Sequence, residues 1–127
     1  MAVARWGYEL LIDACSASPK TIRCPKHISL FTEILVKEIK MEAYGNPQLI
    51  MFGEGNKKGY TLMQPITTSL ISAHFCEETN DFYMNIFSCK PFDEAVAVKL
   101  IHQFFSPDHL KTTYVERDAQ KKIMRLE

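Results

Sequence analysis

Residues 81–89 show a regular alternation of apolar side chains with their neighbours along a short segment. Phe82, Met84 and Ile86 would lie on one side of an extended chain, with the intervening residues on the other side. A period-two pattern of this kind is typical of a strand that packs one face against a core. This segment therefore predicts a sheet with one face covered by a second layer of the structure.

Four other segments predict strands. Residues 5–14 are rich in aromatic and aliphatic side chains, and 48–52 form a short apolar run before a glycine-rich turn at 53–59. Residues 60–75 predict one long strand, in which Pro65 marks an edge or a break in the hydrogen-bond ladder. The last predicted strand covers residues 109–116.

Two helices are predicted, each opened by a proline and each with an apolar stripe at helical spacing. The first begins at Pro25 and ends before Gly45, and the second runs from Pro91 to Ser106. The predicted order is β-α-β-β-β-α-β. It indicates an α+β two-layer sandwich, in which an antiparallel sheet carries two helices on one face and leaves the other face free for a partner or a site.

Composition bounds the class of protein. Residues 1–127 are expected to form a single domain. Fifteen Lys and Arg balance fifteen Asp and Glu, which argues against a nucleic-acid-binding protein. No apolar run reaches the ~18 residues of a membrane span. The N-terminus does not resemble a secretory signal, so the expected location is the cytoplasm, with reduced thiols.

No metal site is predicted. The four cysteines contain no Cys-x-x-Cys pair, and the histidines are scattered without a ligand spacing.

Three reactive side chains, those of Ser69, His74 and Cys89, stand near predicted strand ends, and no one of them alone would indicate a function. They belong to the block GYTLMQPITTSLISAHFCEE at 59–78 and to IFSC at 86–89. These blocks resemble the bacterial, small-subunit type of S-adenosylmethionine decarboxylase proenzyme. That family carries Gly-x-Ser-Gly, a β-branched run, Glu-Ser-His-x-Ser-x-His-Thr-Trp-Pro-Glu and a strand ending Phe-Thr-Cys. The opening GYELLIDACSASP at 7–19 and YVERDA at 114–119 resemble its first and last strands.

The resemblance assigns a role to five residues, and the spacing from 69 to 74 to 89 matches the family without a gap. Ser69 stands at the self-cleaving serine, His74 at the processing histidine and Cys89 at the catalytic cysteine. Thr61 stands at a hydroxyl residue that assists processing, and Glu78 at the acid that closes the motif, where it would bind substrate.

The resemblance also implies a chemistry. The Ser69 hydroxyl would attack the carbonyl of Thr68, and His74 would remove the Ser69 α-proton, so that the chain is cut between residues 68 and 69. The new α chain would begin with a pyruvoyl cofactor, whose ketone accepts the electrons released as a substrate amino acid loses CO₂. Cys89 would return a proton to carbon. The family acts in polyamine (spermidine) biosynthesis and forms homodimers with active sites near the interface.

Four positions depart from the family pattern. Thr68 replaces the glutamate before the serine, and Leu70 replaces the histidine after it. Cys76 replaces the tryptophan of the motif, and Gly55 stands where the preceding loop carries an aromatic residue. Losing two aromatic platforms would weaken the recognition of adenine.

Three hypotheses therefore remain open. The chain is a carboxy-lyase acting on S-adenosylmethionine, or the same machinery acts on a smaller amino acid such as ornithine or arginine. In the second case Glu78 and Asp81 are candidates to hold the distal cation of the substrate. The third hypothesis is an unprocessed, non-catalytic homologue that serves as a partner or regulatory protein, which the residues at 68 and 70 favour.

Overall fold

The structure is a computed structural model that describes residues 5–120 and 124–126. Within these residues the chain forms seven strands and three α-helices. The strands are β1 (Gly7–Cys15), β2 (Gln48–Phe52), β3 (Gly59–Ile66), β4 (Ser69–Cys76), β5 (Asp81–Ser88), β6 (His109–Arg117) and β7 (Met124–Leu126). The helices are α1 (Pro19–Ile22), α2 (Pro25–Glu38) and α3 (Glu94–Phe105), and a 3₁₀ turn covers Gly55–Lys57.

The strands make one sheet in the order β2-β3-β4-β5-β1-β6-β7, and every neighbouring pair is antiparallel. The predicted α+β two-layer architecture is confirmed. The helices pack on one face of the sheet, where alternate strand residues meet the helix stripes. The resulting core contains an aromatic cluster in which Phe31, Phe75, Phe82 and Phe105 are all fully buried.

Three predicted boundaries are wrong, and one of them is the start of the second helix, because α3 begins at Glu94 and not at Pro91. The segment 60–75 is not one strand, because the chain reverses at Thr67–Thr68 and Ile66 pairs with Ser69 across this two-residue turn. The first helix ends at Glu38, and Lys40 just beyond it has a left-handed backbone with φ of 62°. The strand β7, which pairs with β6, was not predicted.

The face of the sheet opposite the helices is uncovered, and we call it the open face. Cross-strand pairing places one polar row across it, formed in order by Thr61, His74, Tyr83, Asp13 and Lys111. Exposed apolar side chains share this face, including Leu11, Ile50 and Leu70. Among the described residues, no helix is long and apolar enough to cross a membrane.

Candidate active site

The Thr67–Thr68 turn brings Ser69 and Cys89 together. Ser69 is the first residue of β4 and pairs with Ser88, the last residue of β5. Cys89 follows directly, and its backbone N–H donates a hydrogen bond of 3.1 Å to the carbonyl oxygen of Thr68. The Cys89 thiol is exposed at this end of the sheet. The carbonyl that self-cleavage would attack is therefore already held by a donor on the residue that resembles the catalytic cysteine.

A second group forms around His74, where β3 and β4 pair Thr61 with the histidine. The Thr61 hydroxyl lies 2.8 Å from His74 Nδ1, and His74 Nε2 lies 2.7 Å from the carbonyl oxygen of Lys57. A carbonyl can only accept a hydrogen bond, so Nε2 of the neutral ring carries the proton. His74 Nδ1 then accepts from Thr61. Both neighbours thus fix the tautomer and the orientation of the ring.

Gly59 allows the Lys57 carbonyl to reach the histidine. A Cβ at this position would lie 1.5 Å from the backbone oxygen of Phe75, closer than any real contact. The absence of a side chain lets the start of β3 lie against β4, and the Glu77 N–H donates to the Lys58 oxygen at 2.9 Å. The turn at 53–58 is consequently fastened beside His74.

The structure does not bring these two groups together within one chain. Ser69 and His74 lie at opposite ends of β4, with Cα atoms about 16 Å apart at ~3.3 Å per residue. The alternation of β4 also places His74 on the open face and Ser69 on the side of buried Ile71. His74 therefore does not reach Ser69 of its own chain, as the resemblance would require, because five residues along a strand separate two side chains in distance and place them on opposite faces.

The chain is similar to known proteins over most of its length. Residues 8–118 match the family model described as S-adenosylmethionine decarboxylase. The chain belongs to the S-adenosylmethionine decarboxylase family. The fold agrees, since the adenosylmethionine decarboxylase of Aquifex aeolicus matches with a TM-score of 0.78. Sequence identity to it is 19%, over 94% of this chain and 97% of that one, so this likeness concerns the fold. A search of the curated proteins found no match.

Within this S-adenosylmethionine decarboxylase family member, the departures from the sequence pattern have structural counterparts. Cys76 is buried, and Gly55 lies in the exposed 3₁₀ turn with nothing within 4 Å of a Cβ built on it. Phe75 is fully buried among the core aromatics, so it does not replace the missing ring on the open face. Glu78 lies in the exposed turn after β4, at the His74 end, and Asp81 begins β5 there.

One cavity beside the turn was not predicted. It measures about 450 Å³ and is lined by Trp6, Phe87, Arg117 and residues 118–120. The ring of Phe87 lies 6.0 Å from that of Trp6, and the guanidinium of Arg117 lies 5.2 Å from it. Arg117 also pairs with Glu9 at 2.9 Å. Phe87 pairs with Leu70, so this cavity lies at the same end of the sheet as the turn, although neither Ser69 nor Cys89 lines it. Of the residues that line this cavity, the alternating sequence pattern could predict the orientation of Phe87 alone.

Cys76 and Cys89 should differ in reactivity, because the first is buried and the second is exposed. Burial raises the pKa of the Cys76 thiol, and the positive charge of Lys57 opposes this shift only in part. A thiolate is the form that reacts, so we expect an alkylating reagent to modify exposed Cys89 at least about 10-fold faster than Cys76 near neutral pH. Peptide mass mapping over a time course measures both rates. Faster labelling of Cys76 would show that this part of the sheet is open.

Proposed function

We propose that this chain is a self-processing, pyruvoyl-dependent carboxy-lyase that is cut between Thr68 and Ser69. The observation that carries the proposal is the hydrogen bond from Cys89 N–H to the Thr68 carbonyl oxygen. A donor at this oxygen stabilises the negative charge that develops on it when the Ser69 hydroxyl attacks the carbonyl carbon. Family membership and fold support the same conclusion.

The processing reaction consumes one water molecule and needs no other co-reactant. Attack by Ser69 Oγ transfers the Thr68 acyl group from nitrogen to oxygen and leaves an ester. Removal of the Ser69 α-proton then expels the Thr68 carboxylate, and hydrolysis of the remaining enamine releases ammonia and leaves a pyruvoyl group. The fragments 1–68 and 69–127 together contain one water more and one ammonia less than the intact chain.

His74 of the chain that is cut lies about 16 Å along β4 from Ser69, so a His74 that removes the α-proton comes from another chain. A second copy can supply it. If two open faces meet about a two-fold axis that runs perpendicular to β4, the strands of the two copies run in opposite directions. The His74 end of one copy then lies over the Ser69 end of the other. The exposed Leu11 and Leu70 provide apolar surface for this contact. We therefore propose a homodimer with two sites, each built from both copies.

Once formed, the pyruvoyl group would supply a ketone that withdraws electrons from the substrate as CO₂ departs. The turn that would carry it is fixed at Thr68, and the aromatic cavity lies at the same end of the sheet, where Phe87 pairs with Leu70. Cys89 donates the proton that returns to carbon, and its exposed thiol faces this end of the sheet. Glu78 and Asp81 contribute negative charge from the His74 end of the other copy.

The substrate is S-adenosylmethionine or a smaller amino acid such as ornithine or arginine, and the product enters polyamine synthesis in the cytoplasm. The loss of an aromatic residue at positions 55 and 76 favours the smaller substrates, whereas the cavity lined by Trp6 and Phe87 favours a planar group. Release of CO₂ from each of the three labelled substrates by the cleaved protein tests the activity. No release from any of them would contradict the proposal.

Replacing Cys89 with alanine should separate the two stages. The bond to the Thr68 carbonyl comes from the backbone, so the variant should still be cut. Loss of the proton donor should lower kcat by about 100-fold or more. The matched control is Cys24→Ala, at the start of α2, which should keep both cleavage and turnover. Equal turnover of Cys89→Ala and wild type would remove the thiol from the mechanism.

An unprocessed, regulatory homologue is the alternative, and the residues at 68 and 70 favour it. In that case the purified chain stays intact, and neither substitution has a catalytic effect.

A further inference from the structure

Thr68 stands where the family pattern has glutamate, and the structure shows what its side chain does. The Ser88 hydroxyl lies 2.8 Å from Thr68 Oγ1, and the Lys90 N–H donates to Ser88 Oγ at 3.0 Å. The Thr68 hydroxyl in turn donates to the sulfur of Met41 at 3.4 Å. We call this series from Lys90 through Ser88 and Thr68 to Met41 the hydroxyl chain. The Thr68 hydroxyl accepts from Ser88, and the Ser88 hydroxyl has two acceptors within reach, Thr68 Oγ1 at 2.8 Å and the sulfur of Met41 at 3.6 Å.

The hydroxyl chain is built into the interior. Ser88 is fully buried at the end of β5, and Met41, which follows α2, is also buried. A buried hydroxyl without a partner is strongly unfavourable, so each of these groups restricts the position of the other. The side chain of Thr68 is therefore fixed from the helix side of the sheet, where the glutamate of the family pattern would have to place a charge.

Thr68 is consequently held at two points by one short segment. Ser88 binds its side chain, and the next residue, Cys89, binds its carbonyl oxygen. These two contacts fix the plane of the peptide bond that joins Thr68 to Ser69. Attack by a neighbouring hydroxyl depends steeply on the approach to that plane, and a displacement of about 1 Å lowers such a rate by about 100-fold.

We propose that Thr68 and Ser88 are a matched pair of positioning residues that present the Thr68 carbonyl to the Ser69 hydroxyl during self-cleavage. This inference rests on the proposed function. It gives the threonine at 68 a part in processing, rather than the loss of one, and it assigns to buried Ser88 a role that its location in the core would not suggest.

The test compares side chains of equal shape with and without the hydroxyl. Thr68→Val keeps the shape and removes the hydroxyl, and Thr68→Ser keeps the hydroxyl. Thr67→Val is the matched control, because Thr67 is the exposed neighbour in the same turn. Each chain is made by cell-free synthesis, and the fraction cut is followed by intact mass. A parallel series contains hydroxylamine, which takes the Thr68 acyl group from the ester and so reports the first step alone.

We expect Thr68→Val and Ser88→Ala to form the ester about 10- to 100-fold more slowly than wild type. Thr68→Ser and Thr67→Val should stay within about threefold of it, and the double variant Thr68→Val/Ser88→Ala should be no slower than either single variant. Melting temperatures show whether any variant fails to fold. If Thr68→Val does not fold, the test depends on whether Thr68→Ser, which keeps the hydroxyl, forms the ester at close to the wild-type rate.

Three results would overturn the inference, the first two without affecting the proposed function. If wild type is cut and Thr68→Val is cut equally fast, the positioning role is wrong while the proposed function stands. The same conclusion follows if Thr68→Ser is as slow as Thr68→Val. If wild type never forms the ester, with or without hydroxylamine, both the inference and the proposed function are wrong.

Discussion

A mixture of His74→Ala and Ser69→Ala chains is expected to be cut although neither chain is cut alone. The reason is the separation of about 16 Å between the two residues along β4, which requires the imidazole to come from another copy. In a mixed dimer the His74→Ala chain still has its serine, and its Ser69→Ala partner still has the histidine. Random pairing of equal amounts should cut about half of the His74→Ala chains.

Co-expression of the two variants with different affinity tags provides the measurement. Intact mass identifies the source of each fragment, because the 69–127 fragment must carry the substitution at position 74. The Ser69→Ala chain should remain whole and so serves as an internal control. Full cleavage of His74→Ala by itself would show that the histidine is not required. A mixture that stays whole while wild type is cut would rule out a histidine acting across copies.

Replacing Gly59 with alanine is expected to destabilise the fold by about 3 kcal/mol or more. The new Cβ would meet the backbone oxygen of Phe75 at 1.5 Å, and backbone atoms cannot turn aside as a flexible side chain can. β3 would have to move away from β4. The Lys57 carbonyl would then leave His74 Nε2, so any folded fraction should also be slow in processing. Denaturant unfolding of full-length protein carrying Ser69→Ala measures the change without interference from cleavage.

Gly45→Ala is the matched control, because it measures the cost of adding a Cβ to a glycine where the new atom meets no steric clash. Gly45 has a left-handed backbone with φ of 77°, but a Cβ there would meet nothing within 4 Å. Its substitution should therefore cost only about 1 kcal/mol. Equal losses from the two substitutions would mean that the contact with Phe75 is not rigid.

The sheet could be predicted from the sequence because its signals are local. The alternation of Phe82, Met84 and Ile86 follows directly from the pleat of a strand with one buried face, and all three are buried. The buried faces of the helices could be predicted for the same reason, and Phe31 and Leu35 of the first apolar stripe lie in the core.

The hairpin at the candidate site gave no such signal. Thr67 and Thr68 are β-formers, and the turn contains none of the glycine, asparagine or proline residues that mark most tight turns. The reversal depends on distant groups, since the Thr67 N–H donates to the Glu42 oxygen and the Thr68 oxygen accepts from Cys89. Sequence spacing could not show these contacts. The opposite faces of Ser69 and His74 were predictable, because an odd spacing in a strand always changes face.

The cavity lined by Trp6, Phe87 and Arg117 also depends on the tertiary structure. Arg117 reaches Phe87 because β6 pairs Arg117 with Gly7 at the far end of the sequence, and β1 lies between β5 and β6. No local pattern relates residues 7 and 117.

Intact mass of the purified wild-type chain under denaturing conditions shows whether the chain is cut between Thr68 and Ser69. Two species are expected, residues 1–68 ending in an ordinary carboxylate and residues 69–127 beginning with a pyruvoyl group. The Ser69→Ala chain, prepared in parallel, should give one full-length mass because it has no hydroxyl to attack the Thr68 carbonyl. A wild-type chain that remains whole after prolonged incubation, or an alanine variant that is cut at the same bond, would contradict self-processing by Ser69.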